Sequence, residues 1–163
     1  MMELSTRVLM VDDLVVAERF YAEVLGSIFG RGSVDSRYML STDELLETTR
    51  RSTARARTEP DADYWVMRPP HSNVTVGRAK ISLYLYPAHY QEPPPEQLRG
   101  VPRLALTATP EQLARAVELL AAVGVAVEGP VIHPAPGLLQ QSLYFKDPAG
   151  NFLELCVPRE PPV

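Results

Sequence analysis

The run Leu143-Tyr144-Phe145-Lys146-Asp147-Pro148-Ala149-Gly150-Asn151-Phe152-Leu153-Glu154-Leu155-Cys156 constrains this chain more than any other. Two short apolar segments flank Asp-Pro-Ala-Gly-Asn, in which Pro fixes φ at the start and Gly or Asn can take a positive φ, so the run reads as a β-hairpin. Side chains alternate along a strand, which puts Phe152, Glu154 and Cys156 on one face and Leu153, Leu155 and Val157 on the other. A carboxylate buried unpaired among hydrophobes is costly. Glu154 therefore faces a cleft, a cation or a metal, or else the strand is an edge and the carboxylate is solvated. The pattern alone leaves both readings open.

A chain of 163 residues suits one domain, 1–163, large enough for a core of its own. Its formal net charge of −4 and its lack of a basic run argue against nucleic acid as the main partner. The first residues hold no basic segment followed by a long apolar one, and no apolar run approaches a membrane span, so the expected setting is cytoplasmic with no membrane partner. Cys156 is the single cysteine and reads as a small buried hydrophobe.

Val8 to Val11 is strand-like, and Asp12-Asp13 offers an N-cap for a helix carrying Leu14, Ala17, Tyr21, Val24 and Leu25 at helical spacing, with Gly26 placed to stop it. Phe20 and Tyr21 read as packing residues. Ile28-Phe29 and Tyr38-Met39-Leu40 suit a short strand with irregular ends. Ser41 and Glu44 match a capping box for a helix near 42–56, whose basic end reads as solvated or as an anion grip. Asp63 to Met67 is strand-like, and strands follow over Asn73–Val76 and Ala79–Tyr86. In the latter, Ile81, Leu83 and Leu85 line one face and Ser82, Tyr84 and Tyr86 the other, so the tyrosines serve either a cleft or packing. Pro93-Pro94-Pro95 stiffens a linker at 93–100. The pattern then restarts. Arg103–Thr107 is a strand, Thr109-Pro110-Glu111-Gln112 a capping box with Pro at the first helical position, Leu113, Val117 and Leu120 an apolar stripe, Gly124 a stop and Val125–Val127 a strand.

"FKDPAGNFLEL", from Phe145 to Leu155, resembles the closing hairpin of the vicinal oxygen chelate superfamily, which holds glyoxalase I, extradiol dioxygenases, and fosfomycin- and bleomycin-resistance proteins. "VLMVDDLVVAERFYAEVLG", from Val8 to Gly26, resembles that family's opening strand and helix. The resemblance implies an α+β fold of two βαβββ modules forming a cupped mixed sheet, the first over 1–92 with an extra helix inserted near 42–56, the second over 101–158. It also implies a homodimer, because cups in this family are often completed by pairing of modules within or between chains.

In that family a divalent metal sits in the cup, held by a His or Gln of the first strand, a His of the equivalent strand in the second half, and the closing Glu. The matching positions here hold Thr6, Arg103 and Glu154. A hydroxyl and a guanidinium are poor company for a divalent metal, so the resemblance implies binding of a small organic ligand without a cofactor, with Thr6, Tyr84, Arg103 and Glu154 as ligand-binding residues. Arg103 is expected to pair with Glu154 in place of the metal's charge. The alternative is a metal-dependent lyase, isomerase or dioxygenase with Glu154 as metal ligand, or an enzyme using Glu154 as a general base. The three histidines, His71, His89 and His133, are expected in loops, from which any could fold over the cup and rebuild a metal site.

Overall fold

The computed structural model describes residues 7–38, 70–85 and 102–160. Strand β1 (Arg7–Val11) leads into a continuous helix made of α1 (Leu14–Glu18), a π-helical stretch (Arg19–Leu25) and α2 (Gly26–Phe29), followed by strands β2 (Gly32–Tyr38), β3 (His71–Val76) and β4 (Ala79–Leu85). Strand β5 (Leu104–Thr107), helix α3 (Pro110–Ala122) and strands β6 (Val127–Ile132), β7 (Leu139–Lys146) and β8 (Phe152–Pro158) repeat the βαβββ order. Each module forms its own four-stranded sheet, ordered β1-β4-β3-β2 and β5-β8-β7-β6. In both, the first strand runs parallel to the last and the remaining pairs are antiparallel. The α+β class and the paired modules are thus as expected. The inserted helix near 42–56, the strand at 63–67, the linker at 93–100 and the boundaries at 92 and 101 lie outside the described residues. No helix among the described residues is long and apolar enough to cross a membrane.

Local chemistry explains most of the element ends. The Asp13 carboxylate accepts from the Val16 amide at 3.1 Å and caps α1. Thr109 and Gln112 satisfy each other's amides at 2.9 and 3.1 Å, with Pro110 opening α3. Gly26 departs from expectation: it is helical, Ile28 and Phe29 continue the helix instead of starting a strand, and the left-handed exit falls at Gly30 with φ 74°. Glycine is needed at 26 for close approach, since a Cβ there would stand 2.7 Å from the Gly32 Cα on β2. In the second module β6 begins at Val127, so Val125 and Ala126 precede the strand.

The π-helical stretch has no counterpart in the sequence reading. Its wider turn brings the consecutive residues Phe20 and Tyr21, together with Leu25, into the interior. The two rings meet edge to face at 5.3 Å, and Phe20 also leans on Phe145 of β7, 6.3 Å away. Leu153, Leu155 and Val157 of β8 join Leu9, Ile81 and Leu83 in one core shared by both modules. On the far side of the helix, Glu18 is buried and takes two hydrogen bonds from Arg37 Nε and one from Arg37 Nη2, at 2.7 to 3.1 Å, plus one from the Ser72 hydroxyl at 2.7 Å. The Arg37 hydrogen bonds, opposed by burial and helped by Ser72, hold the Glu18 pKa below its ordinary 4.5.

Two outcomes follow from these contacts. Gly26→Ala would gain about 1 kcal/mol of helix propensity, but overpacking against rigid backbone costs about 1–3 kcal/mol, so the variant should unfold at lower urea concentration with an unchanged slope. For Glu18 the folded pKa lies below the unfolded one, so its stabilisation is complete above pH 4.5 and fades as pH falls through the depressed value. The stability gap between the parent and Glu18→Gln should be full at neutral pH and close progressively below pH 4.5 in urea titrations run across pH.

Candidate functional site

With one face of each sheet turned to the shared core, strand alternation assigns the polar side chains to the opposite faces. On the first sheet, register aligns Met10 of β1, Tyr84 of β4, His71 of β3 and Tyr38 of β2 in one row. His71 lies between the two tyrosines, its ring stacked 4.6 Å from Tyr84 and 5.4 Å from Tyr38, at interplanar angles of 13° and 22°. It is the first residue of β3 and only 4% exposed, so the expectation of a loop histidine fails here. The residues around it are polar and linked: Ser82 donates to Asn73 at 2.6 Å, Asn73 to Ser36 at 2.9 Å, and Lys80 and Thr75 converge on Asp35 at 3.5 and 2.5 Å.

The second sheet carries Glu154. Strand β8 is internal, between β5 and β7, and Glu154 is 8% exposed, which rules out the solvated edge. Its neighbours in register are Ala105 on β5 and Tyr144 on β7. The Ser142 hydroxyl, fully buried on β7, donates to Glu154 Oε1 at 2.7 Å, and His133 Nε2 lies 2.8 Å from the same hydroxyl. His133 reaches this position because its loop is pinned. Its amide donates to the Gln140 carbonyl at 3.0 Å, and Arg159 Nη2 donates to the His133 carbonyl at 2.9 Å while Arg159 Nε holds that of Gly137 at 3.1 Å. A serine hydroxyl has one proton to give. Spent on a carboxylate, which only accepts, it leaves Ser142 as the acceptor from His133. This order and the burial of Ser142 do not suit a serine nucleophile, which would direct its proton to the histidine. Cys156, on the same face, donates to the Leu106 carbonyl at 3.6 Å; burial first, and the charge of Glu154 next, push its thiol pKa up and disfavour a reactive thiolate.

Thr6 and His89 lie outside the described residues. Tyr84 and Glu154 fall on the non-core faces of different sheets, as strand alternation implied. Arg103 does not meet Glu154: no ion pair joins them among the described residues, and Arg103 is exposed. Register is the reason. Leu104 pairs with Leu153 and Ala105 with Glu154, so Arg103, whose amide donates to the Phe152 carbonyl at 2.8 Å, falls before β5 begins and two residues short of the Glu154 level. Among the described residues no three His, Cys, Asp or Glu side chains come together to hold a metal ion. Sequence reading missed Ser142 as a partner of Glu154, although pairing the two hairpin strands around the 147–151 turn sets it one diagonal step away.

No family model matches the chain, and no curated protein does. Solved structures do match. An antibiotic-binding protein from Streptomyces, TnmS3, is 20% identical over 98% of each chain with a TM-score of 0.58. The fosfomycin-resistance protein FosX from Listeria monocytogenes is 18% identical over 96% of this chain and 93% of its own, with a TM-score of 0.55. A glyoxalase/dioxygenase from Nostoc punctiforme is 21% identical over 97% and 92%, with a TM-score of 0.53. The chain has the fold of the vicinal oxygen chelate superfamily.

The proton order in the second sheet is open to direct measurement. Long-range nitrogen–proton NMR should find His133 Nε2 carrying a proton, and Ser142→Ala should remove the constraint; a ring protonated on Nδ1 alone would reverse the order of the relay.

Proposed function

We propose that this chain binds a small organic ligand in a cup built from the polar faces of its sheets, without a catalytic metal, and that it does so as a homodimer. The observation that carries this reading is the character of those faces. Each is lined by side chains that are polar or aromatic, mutually bonded and yet mostly removed from water: His71, Thr75 and Ser82 on one sheet, Ser142, Tyr144 and Glu154 on the other. A face that merely met solvent would have no need of such order, whereas a ligand site combines ring surface with a few fixed polar groups. The antibiotic-binding and fosfomycin-resistance neighbours support a small-molecule partner. In this reading Tyr84 and Glu154 contact the ligand, with Thr6 and Arg103 as further ligand-binding residues.

The rival reading is a metal-dependent lyase, isomerase or dioxygenase, and the burial of Glu154 with a histidine one hydroxyl away favours it. Metal analysis of protein purified without chelator separates the two. The proposal expects well under one equivalent; one equivalent that is lost in Glu154→Gln would transfer the argument to the rival. A thermal-shift screen of antibiotics against chelator-treated protein should return saturable binders, and Tyr84→Ala should weaken them about tenfold, the worth of a lost ring contact, with little change in melting temperature. Light scattering at micromolar concentration should give twice the chain mass; the monomer mass would remove the dimer.

A further inference from the structure

The two buried glutamates among the described residues are satisfied very differently. Glu18 takes three hydrogen bonds from Arg37 and one from Ser72. Glu154, equally buried, takes a single one from Ser142, on Oε1; among the described residues nothing donates to Oε2. The groups able to do so are occupied or absent. The Cys156 thiol is turned to the Leu106 carbonyl, His133 is directed at Ser142, the Lys146 ammonium on the same face of β7 stands over the Phe152 ring, 5.1 Å from its centroid, and the register sets the methyl of Ala105, an exposed residue, where a cation on β5 would otherwise stand. Tyr144, opposite on β7, adds aromatic surface beside the carboxylate.

We infer that the open oxygen of Glu154 receives a protonated nitrogen, an ammonium or amidinium group, carried by the ligand, with Ser142 and His133 acting as positioning residues that fix the carboxylate's orientation. A carboxylate only accepts, and out of water it is strongly favoured by a cationic donor over a neutral one. The neighbouring ring favours the same sign of charge. A metal cation is the poorer candidate because it needs several further donors, and His133 presents its Nε2 proton, not its lone pair, toward the site. The inference rests on the ligand-binding reading above and adds the chemical class of the group recognised.

The test uses the full chain, with benzylamine, benzyl alcohol and benzoate as probes of one shape and three charges, followed by amide NMR at neutral pH. Benzylamine should bind most tightly and shift amides of β5, β7 and β8 around Glu154. Glu154→Gln should raise its Kd about tenfold or more, the worth of one charge-assisted hydrogen bond, while the glutamine carbonyl still accepts from Ser142. Benzoate or benzyl alcohol binding as tightly as benzylamine overturns the inference and leaves the ligand-binding reading intact, as does an unchanged Kd in Glu154→Gln. Shifts around Glu154 that saturate with one equivalent of zinc overturn it in favour of a metal. If none of the three shifts any residue on either polar face, the ligand-binding reading falls and the inference with it. The charge series on the unaltered chain decides the matter even where the variant fails to fold.

Discussion

The Asp147 carboxylate is where the two modules of this chain are joined. One oxygen accepts from the amides of Ala149 and Asn151, at 2.9 and 2.8 Å, and so shapes the hairpin turn. The other accepts from the Tyr21 hydroxyl at 2.5 Å and from the Asn151 side chain at 2.9 Å. Asn151 then donates to the Met10 carbonyl on β1 at 2.8 Å. Burial pushes the Asp147 pKa up, against the pull of the Tyr21 and Asn151 hydrogen bonds, and burial followed by the charge of Asp147 pushes Tyr21 far higher. The proton stays on tyrosine and the charge on aspartate. A turn residue thereby docks β7 and β8 on the first helix and strand, and Phe20 against Phe145 fills the space beneath.

That docking fixes which sheet faces are spent on the core and which remain. Alternation does the rest: once Leu153, Leu155 and Val157 are committed inward, Glu154 has to lie on the other face, whatever it finds there. The same holds for Ile81 and Leu83 against Ser82 and Tyr84. The modules repeat in topology but not in the chemistry of their free faces. One carries an aromatic stack with hydroxyls and an amide; the other carries a carboxylate on a serine–histidine relay.

What was legible in the sequence was local and periodic. The hairpin, the β8 alternation, the Asp13 cap, the Thr109–Gln112 box and the Gly124 exit each rest on interactions within a few residues, so spacing alone reveals them. Gly26 was misread because a glycine required for contact with Gly32 looks the same in sequence as one required for a left-handed turn. The π-helical stretch escaped because a 3.6-residue period does not anticipate two adjacent inward aromatics. His71 and His133 were set in loops by their neighbouring prolines. His133 does lie in a loop, held down by a distant guanidinium, that of Arg159, whereas a strand begins at His71.

The failed pairing of Arg103 with Glu154 shows how much depends on register between strands distant in sequence. Glu154 lies on β8, and Arg103 directly precedes the parallel neighbour β5, two residues before the Ala105 that pairs with Glu154, so the expectation missed by one repeat of the strand. A shift of two residues leaves every side chain on its proper face and keeps the leucines in the core, so hydrophobic patterning is blind to it. Its electrostatic effect is nonetheless large, because a guanidinium that reached Glu154 would have satisfied it from within the fold, as Arg37 satisfies Glu18. With alanine at that level instead, the strand pair supplies no positive charge, and Ser142 and His133 orient the carboxylate without neutralising it through a direct bond. The cation that stands on this face among the described residues, Lys146 of β7, lies over the Phe152 ring, 5.1 Å from its centroid, and not on the carboxylate.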